Sequence, residues 1–359
     1  MAGDGAKCSA RVVTNVKGTP QITPAPAGYG PAQFHGAYGL PASGPAGQTI
    51  AIVDAYDDPS IASDLNAYSS QFGLPLCNSA NPCFKKVNQS GSASGPFPKS
   101  NSGWALEISL DVEVAHGICP NCKIVLVEAS SNSLSNLAAA VKTAAKLGAT
   151  EISNSYGGSE FSSELGEAYA APYNQPGVAV TVSSGDNGYG SFGFPAALSS
   201  VITVGGTTLT LGEGNSYGGE SAWSGGGSGC SLYAAAPEWQ SFLTACAGKR
   251  GTADVAADAD PGTGAAVYDS VKYQGRSGWF RVGGTSLSAP LIAGVYALAG
   301  GLPAGTSGAS GLYGHLGDGS VLHDVTSGSN GSCSTLMCTG GVGYDGPTGV
   351  GTPLGIGAF

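Results

Sequence analysis

Gly283-Gly284-Thr285-Ser286-Leu287-Ser288-Ala289-Pro290 delivers a serine just as a long apolar run begins, Leu291-Ile292-Ala293-Gly294-Val295-Tyr296-Ala297-Leu298-Ala299. The run is long enough for a buried helix, which places Ser286 near its N-terminus. There the unpaired backbone N–H groups and the helix dipole favour negative charge. A nucleophilic hydroxyl, and the oxyanion its attack creates, both gain from that position. A simple helix cap at Thr285, Ser286 or Ser288 uses the same residue types. The local sequence does not separate the two readings.

Upstream, apolar strands alternate with helical stretches. Gln48–Asp54, Lys123–Glu128, Ala149–Ser155, Val178–Val182 and Val201–Val204 read as buried strands. Residues 60–73, Trp104–His116, Ser133–Leu147 and a stretch near 161–172 read as helices. Continuous apolar strands between helices imply an α/β fold, a mostly parallel, doubly wound sheet with helices on both faces. Ligands of such sheets bind at the carboxyl ends of the strands. Asp54, Tyr156 and Asp186 stand at such ends. Residues 207–280 are Gly-rich and read as surface hairpins and loops.

Glu107 and Asp111 are four apart and share one helical face. Their flanks, Trp104, Leu106, Ile108, Leu110 and Val112, are too apolar for a solvated helix. Two buried carboxyls at this spacing share a proton and titrate as a unit. Such a pair suits acid–base work below neutral pH. The usual base for a serine nucleophile is histidine. Of His35, His116, His315 and His323, only His116 comes near a subtilisin-like pattern, and it falls on a different helical face from Glu107.

The chain has 359 residues, 42% of them hydrophobic, enough for one large core or two modest ones. Only 11% are charged, against a usual ~25%. Net charge is −10 with no basic cluster, which argues against nucleic acid as a partner. Apolar segments are short and interrupted, so no membrane span is expected. With every carboxylate protonated, only 14 Lys and Arg and 4 His stay charged. Self-repulsion in acid is therefore small. Eight of the nine cysteines fall into close pairs, Cys77 with Cys83, Cys119 with Cys122, Cys230 with Cys246 and Cys333 with Cys338. Short disulfide loops in an oxidising compartment fit this spacing, with Cys8 left over. A secreted, extracellular protein is the expectation, although residues 1–7 lack the apolar core of a signal peptide.

Glu107-x-x-x-Asp111, Ser184-Gly185-Asp186 and Gly284-Thr285-Ser286 occur in the order and spacing of the sedolisins, the serine-carboxyl peptidases, and the chain resembles that family from about Gly28 to its end. Arg250-Gly251-Thr252-Ala253-Asp254 through Asp260-Pro261 is similar as well. The resemblance implies a subtilisin-like fold and acid endopeptidase activity on polypeptides. Carried over, Ser286 is the nucleophile, Glu107 takes its proton, Asp111 holds Glu107, and Asp186 stands at the oxyanion hole. A carboxylic acid donates a hydrogen bond to an oxyanion only while protonated, which again points to acid. Asp324-Val325 and Gly341-Val342-Gly343-Tyr344-Asp345 resemble the family's calcium loop. The resemblance assigns the Asp324 and Asp345 carboxylates and the Val325, Gly341 and Gly343 carbonyls to Ca2+, with water completing six oxygen ligands.

Departures are few. Ser155-Tyr156-Gly157 stands where the family has Ser-Trp-Gly, and Asp54 where it often has Glu. Both residues are expected near the Glu107–Asp111 pair. The family carries a long prodomain, and only about 27 residues precede the resemblance. The expected organisation is an N-terminal arm or linker, 1–27, and a peptidase domain, 28–359, working as a monomer. The competing expectations are a non-catalytic binding or surface protein that keeps the fold, and a neutral histidine-dependent subtilase.

Overall fold

The computed structural model describes residues 5–359. Eight strands form the main sheet: β1 (Thr49–Ala55), β2 (Phe84–Asn88), β3 (Lys123–Ala129), β4 (Glu151–Asn154), β5 (Ala179–Ser183), β6 (Ile202–Leu211), β7 (Tyr217–Ala222) and β8 (Val255–Asp258). Their order is β7-β6-β5-β4-β1-β3-β2, with β8 also on β6. Every pairing is parallel except β6 with β7. The expected doubly wound parallel sheet is therefore present.

The helices are α1 (Pro31–Tyr38), α2 (Ile61–Phe72), α3 (Ser102–Ile118), α4 (Leu134–Lys146) and α5 (Thr285–Ala299). Asn101 starts α3, its Oδ1 accepting from Gly103 N (3.0 Å) and Trp104 N (3.2 Å). Ser133 caps α4 in the same way. Strand alternation distributes the core. Ile50 and Ile52 of β1 join the apolar cluster of α3 and α5, while Ala51, Val53 and Ala55 join that of α4. By the same period, Asp54 falls on the α3 side. All residues from Trp104 to Ile118 are buried. The two carboxyls of α3 are thus pressed between sheet and helices.

Two expectations fail. Residues 161–172 form turns, with only a short 3-10 turn at Ala171–Tyr173. The Glu164 carboxylate accepts from Phe161 N (2.9 Å), holding a turn, and Pro172 stops any helix. Phe161 and Tyr169 instead pack edge-on against Phe194. The span 207–280 is not surface loop throughout. It completes β6, supplies buried β8, and ends in a hairpin, β9 (Ala265–Tyr273) and β10 (Arg276–Gly283), beside α3. Small residues hide β8: a Cβ on neighbouring Gly205 would collide with Pro347 O and Ala253 Cβ. Buried Arg250 donates to Asp254 Oδ2 (2.5 Å), which also accepts from Thr203 N (2.8 Å), and this pair fixes β8 to β6.

All four expected disulfides form. Cys8 is free. No helix among the described residues is long and apolar enough to cross a membrane. In the N-terminal arm, Lys7–Cys8 pairs with Tyr156–Gly157, while Arg11–Val12 and Ile22–Thr23 pair with β10.

Candidate active site

β10 runs directly into α5, and the turn between them is tight. Gly284 has φ 98°, a conformation that favours glycine. A Cβ there would fall on the Ser9 carbonyl oxygen and lie 2.5 Å from Asp186 Oδ2. Ser286 is the second residue of α5. Pro290 has no N–H, so the Ser286 carbonyl loses its helical partner four residues on. It accepts from Ser155 Oγ instead (3.4 Å). The Ser286 hydroxyl donates to the Ser155 carbonyl (3.3 Å). Asp186, just past β5, caps α5 from outside: its Oδ1 accepts from Thr285 N (2.8 Å) and Thr285 Oγ1 (2.9 Å). Burial pushes its carboxyl up to about 6, against the pull of Thr285 and Arg11.

Beneath Ser286 lies a row of carboxyls. Glu107, Asp111 and Asp54 are wholly buried. Among the described residues, neither oxygen of Asp54 has a hydrogen-bond partner, while the Ser155 hydroxyl lies near Asp111 and the Ser286 hydroxyl near Glu107. Burial is the main reason all three hold protons more tightly than usual; Asp54 and Asp111 are also raised by the charge of neighbours in the row, and Glu107 by that of Asp186. Buried carboxyls whose charges reach one another cannot all ionise at once, so they share protons. The row therefore titrates as a unit. Glu107 itself is pushed up to about 8, while the nearby Ser286 hydroxyl and the Ala10 N–H favour its charged form. Glu128 extends the row, and Lys86 ends it, 3.6 Å from Glu128 and 2.6 Å from Asp57.

The structure thus gathers Glu107, Asp111, Asp186 and Ser286 from α3, the end of β5 and the start of α5. Tyr156 is close to Asp54, but its hydroxyl goes to Asn154 Oδ1 (2.8 Å) and Tyr173 (3.1 Å). Among the described residues, no imidazole serves Ser286. His116 Nε2 meets the Pro75 carbonyl, His35 Nε2 the Gly117 carbonyl, and His323 stacks on Tyr217. Sequence reading gave no site role to Ser155, Thr285 or Glu128. It also missed the arm's place at the site, where Ser286 is wholly buried. Ser9 N donates to the Ser155 carbonyl (3.3 Å), Ala10 N to Glu107 Oε2 (2.9 Å), and Arg11 Nε to Asp186 Oδ2 (3.3 Å). A serine flanked by ordinary residues gives no signal of this.

The loop expected to hold calcium is also assembled. Asp345 Oδ1 accepts from Thr348 N and Oγ1, its Oδ2 from Gly341 N (3.0 Å), and Asp324 Oδ2 from Gly343 N (3.0 Å). Among the described residues, the Val325, Gly341 and Gly343 carbonyls accept no hydrogen bond. The charge of Asp324 reaches Asp345. Two neighbouring carboxylates and three free carbonyls are an oxygen-only donor set that fits a hard cation.

A second acidic group lies elsewhere, where Asp58, Asp64 and Asp269 bring oxygens within 4.8 Å of one another, close enough to hold a cation. Burial pushes Asp58 up to about 6 and Asp269 to about 8, and does the same to Glu151 (about 8). Such groups keep protons in the folded chain that the unfolded chain has released. Their stabilisation is full below about pH 4, the ordinary carboxyl range, and is lost as pH rises through the folded values. A carboxyl raised as far as Asp58 makes a difference of about 3 kcal/mol between acid and neutral pH. Tm is therefore expected to be several degrees higher at pH 4 than at pH 8, and Glu151→Gln is expected to flatten part of the slope. Calorimetry showing Tm rising from pH 4 to pH 8 would contradict this.

A family model described as the subtilase family matches residues 90–304. Sedolisin of Pseudomonas sp. (strain 101) is 28% identical over 370 residues, 92% of this chain and 60% of that protein. Kumamolisin of Bacillus sp. (strain MN-32) is 31% identical over 371 residues, 92% of this chain and 63% of that protein. The chain thus spans less than two thirds of the length of either. A solved structure of Pseudomonas sedolisin, described as a serine-carboxyl proteinase in complex with pseudo-iodotyrostatin, superposes with a TM-score of 0.76 at 27% identity. That match covers 92% of this chain and 96% of the other.

Proposed function

We propose, since the chain belongs to the subtilase family and groups there with the sedolisins, that it is an acid-active serine-carboxyl endopeptidase. One observation supports the reading: a row of buried carboxyls whose charges reach one another, beneath a serine at a helix N-terminus, with no imidazole beside it among the described residues. Ser286 attacks the substrate carbonyl and passes its proton to Glu107. Asp111 and Asp54, sharing protons with Glu107, spread the charge this base carries. Protonated Asp186 donates to the oxyanion that forms. Glu107 returns the proton to the leaving amine, and a water activated in the same way releases the acyl group. Burial is what raises Glu107, and the arm supplies part of it. With the arm displaced, water reaches the carboxyl and its pKa returns towards the acid range. The test is cleavage of an unfolded protein from pH 2 to 8, with Ser286→Ala as control. Digestion confined to acid and absent from the variant is expected. Digestion by both chains alike would rule the reading out.

The same reading assigns calcium to Asp324, Asp345 and the carbonyls of Val325, Gly341 and Gly343. The ion would neutralise the two facing carboxylates and tie the C-terminal loops together. An ion that binds only the folded chain adds ~2.7 kcal/mol at a hundredfold excess over Kd. Chelation is expected to lower Tm by several degrees and to remove about one equivalent of bound metal. Asp345→Ala is expected to abolish that sensitivity. An unchanged Tm after demonstrated metal depletion would exclude this site. The four disulfides support an extracellular setting, with the monomer as the working form.

A further inference from the structure

Away from Ser286, four carboxyls converge where the turn after β1, α2, α3 and β9 pack together. Asp58 in that turn, Asp64 of α2 and Asp269 of β9 each bring an oxygen within 4.8 Å of the others. Glu113 of α3 stands beside them. Burial pushes its carboxyl up, the Tyr268 N–H pulls it down, and the charges of Asp64, Asp269 and Asp58 push it up further. Each of the four is pinned through one oxygen by a backbone N–H. Asp58 Oδ1 accepts from Ser60 N (2.8 Å), Asp64 Oδ2 from Ser270 N (2.9 Å), Asp269 Oδ1 from Val271 N (2.7 Å) and Glu113 Oε2 from Tyr268 N (2.9 Å). The other oxygens are left over. Among the described residues, Asp269 Oδ2 and Glu113 Oε1 have no hydrogen-bond partner, and both residues are wholly buried. Asp64 Oδ1 has the Ser63 hydroxyl at 3.5 Å, but that hydroxyl also donates to the Ser60 carbonyl (2.7 Å). Asp58 Oδ2 has the Ser109 hydroxyl at 3.3 Å. Among the described residues, none of the four carboxyls makes a salt bridge. Lys86 touches Asp58 through its backbone carbonyl (2.8 Å) and pairs with Asp57 and Glu128 instead.

We propose that Asp58, Asp64, Asp269 and Glu113 form a second cation site, for a hard divalent ion of the calcium class, apart from the Asp324–Asp345 loop. The proposal does not depend on the peptidase reading. Calcium takes about six to eight oxygens. The four carboxyls supply four, and Ser109 Oγ and water complete the shell. The backbone N–H on each second oxygen is the kind of support that orients a ligating carboxylate. Carboxyls that served as turn caps alone would not leave Asp269 Oδ2 and Glu113 Oε1 buried without a partner. Ser63 and Ser270 at the rim are exposed, so an ion has a short way in. Protons compete with the ion for the same oxygens. In acid the four groups keep their protons, the state behind the acid stabilisation described above, and the C-terminal loop alone holds metal. Near pH 8 the ion takes the protons' place and ties α3, which carries Glu107 and Asp111, to α2 and β9.

The wild-type chain, freed of metal with a chelator, is titrated with calcium chloride at pH 5 and pH 8, and bound metal is counted by equilibrium dialysis. The titration runs to about 10 mM, since calcium modules outside cells bind with Kd as weak as ~10⁻³ M. One bound equivalent is expected at pH 5 and two at pH 8, the second with release of protons. Asp345→Ala is expected to keep one equivalent at pH 8, and its Tm there is expected to rise by several degrees with calcium. Asp269→Asn keeps the acceptor for Val271 and replaces the free oxygen with an amide. It is expected to bind one equivalent fewer than wild type at pH 8, with a Tm in chelator no lower than that of wild type, because one fewer carboxyl is crowded there. Loss of packing alone would lower that Tm and leave the count unchanged. The proposal is overturned if Asp269→Asn binds as much calcium at pH 8 as wild type does, or if Asp345→Ala, shown to be folded, binds none. The four carboxyls then hold protons alone. Should Asp345→Ala fail to fold, the comparison of wild type with Asp269→Asn decides. A wild-type chain that binds no calcium at either pH takes down the C-terminal site as well.

Discussion

Ser286→Ala is expected to lower kcat by on the order of 10⁶, the loss found when a residue that acts as part of a catalytic unit is removed. The fold has little reason to respond. The hydroxyl's hydrogen bond to the Ser155 carbonyl is long, 3.3 Å. The Ser286 carbonyl, which does hold the chain in place through Ser155 Oγ, is untouched. Tm is therefore expected to move by no more than a degree or two. Glu107→Gln cannot accept the serine proton and is expected to fall almost as far. The double variant is expected to be no worse than Ser286→Ala, since the two residues perform one step. Rates multiplying in the double variant would mean that they act independently. A Ser286→Ala chain with wild-type kcat would remove the nucleophile.

What the sequence disclosed divides by distance along the chain. The place of Ser286 at the start of a buried helix was legible because glycine turn, serine and apolar helix are contiguous, but that stretch alone did not separate a nucleophile from a cap. Glu107 and Asp111 were legible because a helical period places them together and their flanks are apolar. Asp54 and Asp186 were legible as strand-end carboxylates. None of these readings needed a long-range contact. The arm needed nothing else. Ala10 meets Glu107 across 97 residues, and Arg11 meets Asp186 across 175. Nothing in Ser9-Ala10-Arg11 marks it as a bound peptide. β8 was missed because Val255-Ala256-Ala257-Asp258 is short and made of small residues, and its strand character comes from the slot beside β6. The stretch 161–172 was misread in the opposite direction. Its helical pattern lost to Pro172 and to aromatic packing on Phe194.

Asp186 is expected to set the alkaline limit of activity, and its substitutions separate charge from hydrogen bonding. Burial brings its carboxyl to about 6, while the Thr285 N–H and hydroxyl and the Arg11 guanidinium hold it down. Only the protonated acid can donate to an oxyanion. The active form is thus present below the Asp186 pKa and is lost as pH rises through it, even as Glu107 becomes a more available base. Asp186→Asn keeps an acceptor for Thr285 and places a permanent N–H donor where Oδ2 stands. Asp186→Ala removes the donor, at a loss of ~10²–10³ in kcat. It also strips the N-terminus of α5 of its cap, worth about 1 kcal/mol, so rates are to be normalised to folded enzyme. Between pH 3 and 5 the expected order is wild type, then Asn, then Ala far below. Towards pH 7 the Asn variant is expected to decline less steeply than wild type, since it has no proton to lose at this position. An Ala variant with wild-type kcat in acid would exclude Asp186 as the oxyanion donor. An Asn variant whose alkaline limb superposes on that of wild type would assign the limb to the Glu107–Asp111–Asp54 row instead.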